Sequence, residues 1–125
     1  MISNSRIINF IPSTNFDVSR LFYEDKLGLI LEKEDDFALE YKINTSVLRI
    51  IKVADFTPAI FTILGWDVSD INSIVKELMI VGIKFELYDG IKQNKMRICS
   101  FPGGSQVAWF KDPDGNTLSI TQVER

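Results

Sequence analysis

Apolar and polar positions along the chain change period several times, and each change marks an element. Residues 6–11 form a short apolar, β-rich run closed by Pro12, Ser13 and Thr14, which predicts a first strand. Asn15 stands where a helix N-cap is wanted, Val18, Leu21 and Phe22 fall at i, i+3 and i+4, and Gly28 sits where a helix end takes a left-handed residue. That spacing predicts a helix of about three turns. Extended segments follow at 29–33, 37–41 and 46–53, separated by the charged Glu34, Asp35 and Asp36 and by a turn over 42–45. The first half therefore reads strand, helix and three strands.

The pattern then begins again. Residues 59–68, rich in Ile, Phe and Thr with Trp66, have apolar side chains on both faces, which predicts a central strand covered on each side. Ser69 or Asp70 caps a helix whose Ile71, Ile74, Val75 and Leu78 form one stripe, and Gly82 ends it. Thirteen positions separate Asn15 from Gly28 and thirteen separate Ser69 from Gly82, with Leu21/Val75, Leu27/Val81 and Leu29/Ile83 matching at one offset. Beyond the helix come extended segments at 83–87 and 96–101 around a polar stretch at 88–95, a Pro102-Gly103-Gly104 turn, and strands at 105–111 and 117–122. The last two are joined through Asp112-Pro113-Asp114-Gly115-Asn116, a sequence with strong turn chemistry. In the final strand Leu118 and Ile120 share one face, expected under a helix, while Ser119 points to the other. Trp66, out of phase with Ile63, is expected in the core. A helix on one face of each half, with the other face free, predicts an α+β fold of two four-stranded curved sheets walling a cavity.

Composition narrows the chemistry. A chain of 125 residues, 46% hydrophobic and 25% charged, has room for one domain and is neither disordered, collagen-like nor coiled-coil. The absence of histidine removes His-ligated metals, Ser-His-Asp triads and imidazole bases. One cysteine, Cys99, forms neither an internal disulfide nor a CxxC knuckle, in keeping with a reducing, cytoplasmic location. Residues 1–6 lack a basic-then-apolar leader pattern, and no stretch approaches the roughly eighteen apolar residues of a membrane span. With 14 basic against 17 acidic residues and no basic cluster, neither nucleic acid nor membrane is expected as a partner.

Three elements together carry a family resemblance: FYEDKLG at 22–28, GWDV at 65–68 and VAWFKDPDGN at 107–116. They resemble the vicinal oxygen chelate superfamily, which includes glyoxalase I, bleomycin-resistance proteins, fosfomycin-resistance enzymes and extradiol dioxygenases. The resemblance covers nearly the whole chain. It implies two βαβββ modules, about 1–57 and 58–125, forming a U-shaped, partly open mixed barrel around a cavity in a single domain, and a homodimer. Metal-using relatives present four ligands, typically His or Glu, from the first and last strands of the modules. Counted from the motifs, those positions fall at Ile8, Arg49, Ile63 and Ser119. An alkyl group has no lone pair to donate and a guanidinium is a permanent cation, so the set does not bind a metal. A shift of one residue brings in Asn9, Leu48 or Ile50, Thr62 or Leu64, and Leu118 or Ile120, which serve no better. The expectation is a chain with neither metal nor other cofactor.

Little else is offered for chemistry. Arg49, flanked on its strand face by Val47 and Ile51, is a candidate grip for a carboxylate or phosphate, against the plainer reading of an ion-paired rim residue. Trp109, Phe10 and Phe37 are candidates to line a site for a flat ligand, with core packing as the alternative. Ile8, Ile63 and Ser119 complete the candidate ligand-binding set. Cys99 has only Arg97 nearby to lower its pKa and reads as a small buried hydrophobe. Glu32, Glu34, Asp35, Asp36, Glu40 and Glu86 offer carboxylates without a pairing that marks acid/base work, and nothing singles out Tyr41 or Tyr88. The favoured function is a metal-free protein that holds a small organic molecule. A lyase or dioxygenase-type enzyme of the same superfamily is the alternative, and a ligand sensor is a third reading that no DNA-reading helix supports.

Overall fold

The computed structural model describes residues 1–125, which divide into two compact units, Met1–Thr57 and Pro58–Arg125. The first unit runs β1 (Ile8–Ser13), α1 (Phe16–Arg20), β2 (Ile30–Glu34), β3 (Ala38–Ile43) and β4 (Ser46–Lys52). Asn15 caps α1 as its spacing predicts, its side chain accepting a hydrogen bond from the Val18 N–H at 3.2 Å. The helix then widens into a π-helical turn over Leu21–Lys26, which ends at Gly28 with φ +76°, a left-handed conformation that favours glycine. The four strands order as β1-β4-β3-β2, with β1 parallel to β4 and the other pairs antiparallel.

Strand parity gives this sheet two unlike faces. Ile11, Ile50 and Leu39 lie opposite one another across β1, β4 and β3, as do Leu48 and Tyr41 across β4 and β3, and all five are at most 1% exposed. The π-helical turn covers this face, with the Tyr23 ring 6.5 Å from that of Tyr41. Each such side chain withdrawn from water contributes about 1.5–3 kcal/mol. The buried Ser13 and Ser19 hydroxyls pair at 2.6 Å and tie β1 to α1. Tyr41 donates its phenol O–H to Glu24 at 2.8 Å, and Arg20 holds both Glu24 and Glu34 at 3.0 Å.

The second unit runs β5 (Thr62–Asp67), α2 (Ile71–Ile80), β6 (Cys99–Ser100), β7 (Gln106–Lys111) and β8 (Thr117–Gln122). Its sheet orders as β5-β8-β7-β6, again with one parallel pair, β5 with β8. Asp70 is the cap of α2, accepting from Ser73 N–H at 3.3 Å, and Gln122 accepts the Ile71 N–H at 2.9 Å, anchoring the helix to β8. Ile71 and Val75 are fully buried on the helix side, where Leu118, Ile120, Ala108 and Phe110 form the sheet's contribution to the core. Trp66 stacks on Phe110 at 6.4 Å but is only half-buried on the edge strand, at the margin of the core rather than inside it as expected. The turn after β7 is closed by buried Asp112, which accepts the N–H groups of Asp114 and Asn116, both at 2.9 Å, with Gly115 at φ +88°.

Each unit thus carries a four-stranded mixed sheet with helix on one face, the α+β class the pattern predicts, and neither sheet closes into a barrel. Several elements differ from expectation. The first strand lies two residues later than 6–11. The segment 83–87 forms no strand: Ile83 and Phe85 alternate inward and are buried, but only a single bridge, Phe85 to Phe110, joins the segment to β7. From 96–101 only Cys99–Ser100 pairs. The strand expected to be central, β5, is the edge of its sheet, and β8 takes the central position. Apolar side chains on both faces therefore do not report a doubly covered strand here; Ile60 and Phe61, just before β5, are 99% and 66% exposed.

Candidate functional site

In the first unit, the sheet face opposite the π-helical turn carries Ile8, Phe10, Val47, Arg49, Ile51, Ala38 and Glu40. The register sets Phe10, Arg49 and Glu40 in one row across β1, β4 and β3. Arg49 Nη1 lies 3.5 Å from Glu40 Oε1, and Lys33 Nζ approaches the other oxygen at 3.9 Å. Arg49 is thus the ion-paired residue of the plainer reading, yet one donor is unspent: its Nε is buried and has no hydrogen-bond partner. A buried N–H without an acceptor costs about 1–3 kcal/mol. Phe10 and Ile8 stand beside it, 63% and 48% exposed. Phe37 lies just ahead of β3 and is exposed; the alternation sets it with Leu39 and Tyr41, and its carbonyl accepts from Lys52 N–H at 2.9 Å.

In the second unit, Gly65, Ser119 and Trp109 form the corresponding row across β5, β8 and β7. A Cβ on Gly65 would stand 2.5 Å from Ser119 Oγ, so the bare glycine is what gives that hydroxyl its place. Trp109 meets the Tyr88 ring edge-on at 5.5 Å. Tyr88 is held there because Gln93 accepts its N–H at 2.9 Å while donating to the carbonyls of Glu86 and Arg97. Burial, then the Glu86 carboxylate, push the Tyr88 phenol pKa up, which keeps it a neutral O–H donor at physiological pH. Trp109, Tyr88, Ile91, Phe61, Ile60 and Thr117 line a cavity of about 350 Å³. Ile63 sits at the irregularity of β5, between Thr62 and Leu64.

The structure therefore brings Ile8, Phe10 and Arg49 together on one sheet and Ser119 and Trp109 on the other. Sequence reasoning missed Glu40 as the partner of Arg49, although the 42–45 turn, once read as a tight hairpin, sets Glu40 opposite Arg49. It also missed Ile60, Phe61 and Ile91, for which neither spacing nor residue type gave a signal. A larger cavity of about 670 Å³ opens among Ser3, Arg6, Lys42 and Asn44. Its lining is half polar and no candidate residue lines it, so volume alone does not mark the site.

The donor set does not fit a divalent metal. Ile8 and Ile63 offer hydrocarbon, Arg49 a fixed positive charge and Ser119 one neutral hydroxyl. No group of three or more His, Cys, Asp or Glu side chains is gathered where it would hold an ion.

No protein-family model matches the sequence, and no curated protein matches it. Solved structures do. A bleomycin resistance determinant encoded on the transposon Tn5 superposes with a TM-score of 0.76 at 20% identity, over 98% of this chain and 100% of that one. A lactoylglutathione lyase from Agrobacterium tumefaciens gives 0.73 at 14% identity, over 95% and 93%. A glyoxalase family protein from Enterococcus faecalis gives 0.71 at 20% identity, over 98% and 100%. At such identities the likeness is one of fold. This chain has the fold of the glyoxalase and bleomycin-resistance proteins, the vicinal oxygen chelate fold.

Proposed function

We propose that this chain is a small-molecule-binding protein of the glyoxalase/bleomycin-resistance type in which the usual metal-binding positions serve as ligand contacts. The observation that carries the reading is the edge-on Trp109–Tyr88 pair lining a cavity of about 350 Å³, a size and an apolar character suited to a small flat organic molecule. In the first unit, Arg49, whose side chain is 33% exposed beside Ile8 and Phe10, is a contact for an acidic or carbonyl oxygen. Ile8 and Phe10 flank Arg49 on its sheet face, and Ser119 stands beside Trp109 in the second unit; Phe37, on the opposite face from Arg49, takes no part.

The same reading makes the protein a cytoplasmic homodimer. Apolar side chains outside the site, such as Leu21 and Ile30 at 59% and 75% exposure, are surface that a second copy would cover. No helix is long and apolar enough to cross a membrane.

The test is a thermal-shift screen with bleomycin, fosfomycin, catechol and the glutathione adduct of methylglyoxal, followed by tryptophan fluorescence titration in Trp66→Phe protein, where Trp109 alone reports. At least one compound is expected to raise the melting temperature without being consumed, and Trp109→Ala and Arg49→Gln should each weaken it about tenfold, or 1.4 kcal/mol. Turnover of any compound, or binding indifferent to both substitutions, overturns the proposal.

A further inference from the structure

We propose a second binding site in the unit Pro58–Arg125, built from none of the residues assigned above, that takes a small organic anion with an apolar body, of the aryl phosphate kind. A cavity of about 340 Å³ opens beyond the end of α2, floored by Ile83, Phe85 and Met79 and ringed by Lys84, Lys95 and Arg97. Met79, 48% exposed, supplies the apolar surface open to a ligand, backed by the nearly buried Ile83 and Phe85. No carboxylate lines the cavity. The chain's ion pairs engage Arg20, Lys33, Arg49, Lys111 and Arg125 and leave these three cations out. On a protein of net charge −3, three cations without a carboxylate partner line one concavity, a setting that attracts an anion.

The plainer explanation is that the cations neutralise the carbonyl end of α2. The backbone already does much of this: Gly82 N–H donates to the Met79 carbonyl at 3.1 Å and Ile83 N–H to that of Leu78 at 2.9 Å. Nor does it account for Arg97, whose φ of +68° is a left-handed conformation that arginine rarely adopts. The loop enforces it. Arg97 N–H donates to the Asn94 carbonyl at 2.9 Å, Gln93 donates to the Arg97 carbonyl at 2.8 Å, and Asn94 Oδ1 accepts from Met96 and Ile98. Glycine would suit that backbone better, so the position carries a guanidinium in spite of its backbone, and that guanidinium lines the cavity.

Calorimetric titration of the full chain with phenyl phosphate tests this, run in a Trp109→Ala/Arg49→Gln background so that the first site is silent. One saturable equivalent per chain is expected, with inorganic phosphate and benzyl alcohol each binding at least about tenfold more weakly, since each lacks one half of the ligand. Lys84→Gln should weaken phenyl phosphate about tenfold, the loss of one charge-assisted contact. Arg97→Gly should abolish the binding while raising the melting temperature. No saturable binding, binding that depends only on the first-site residues, or binding that survives both Lys84→Gln and Arg97→Gly overturns the proposal. If Arg97→Gly fails to fold, the strain argument falls and Lys84→Gln decides the site.

Discussion

Gly65→Ala isolates the contact that sets the open face of the second sheet. An alanine fits the backbone of Gly65, which lacks a left-handed φ, and a glycine-to-alanine change at a compatible position ordinarily stabilises by about 0.4–1 kcal/mol. Here the new Cβ would lie 2.5 Å from Ser119 Oγ, 3.5 Å from the Ser119 carbonyl oxygen and 3.9 Å from its Cβ, so the collision is with the hydroxyl alone. Ser119 is only 6% exposed, and its hydroxyl must turn to another rotamer or the strands must part. Overpacking of this kind costs about 1–3 kcal/mol, leaving Gly65→Ala less stable by a net of about 0–2.6 kcal/mol. In a Ser119→Ala background the collision is gone and the same change should stabilise by about 0.4–1 kcal/mol. Urea denaturation of the four proteins gives the coupling, about 1–3 kcal/mol, and each kcal/mol is about 3–6 °C in melting temperature for a chain of this size. Additivity to within about 0.5 kcal/mol would refute the reasoning, because Ser119 would then not point over Gly65 and its place beside Trp109 would fall with it.

Phe110→Ala, removing a ring that is 0% exposed and touches Trp66 and Phe85, should lower stability by about 3–5 kcal/mol in the same assay. Tyr41→Phe deletes the donor to Glu24 and should cost about 1–2 kcal/mol near neutral pH. Burial, then the Glu24 hydrogen bond, raise the Tyr41 pKa in the folded state. The folded protein therefore holds the proton more tightly than the unfolded chain: this contribution is complete below about pH 10 and is lost as pH rises further. A pH series of denaturation midpoints should decline more shallowly above that range in the variant. Asp35 is the opposite case. The Phe37 and Ala38 N–H groups hold its carboxyl below the usual range, so its contribution is present above about pH 4 and is lost as pH falls, and Asp35→Asn should flatten that acid limb.

Sequence pattern carried furthest where local rules and tertiary packing agree. The final strand is found at 117–122 as its alternation indicates, because Leu118 and Ile120 do go under α2 and the Asp112–Asn116 turn closes itself through its own side chains. Both helix starts were legible because Asn15 and Asp70 cap through local hydrogen bonds. The π-helical widening after Arg20 was not, since one extra residue per turn leaves the apolar spacing almost unchanged. Residues 83–87 alternate like a strand because burial of Ile83 and Phe85 needs only that parity, whereas a ladder also needs a partner, and the neighbouring loop instead spends Gln93 and Asn94 on satisfying backbone groups. At the candidate site, strand parity was enough to place Arg49 with Val47 and Ser119 opposite Leu118. The Trp109–Tyr88 contact and the cavity walls joined segments far apart in the chain and had no sequence signal.

Ile8, Arg49, Ile63 and Ser119 offer no donor set for a cation, and elemental analysis tests this. Protein prepared without chelator, then titrated with nickel, zinc, manganese and ferrous iron and desalted, should retain no stoichiometric metal. One tightly held ion per chain, lost when any of these four positions is changed, would overturn the metal-free assignment.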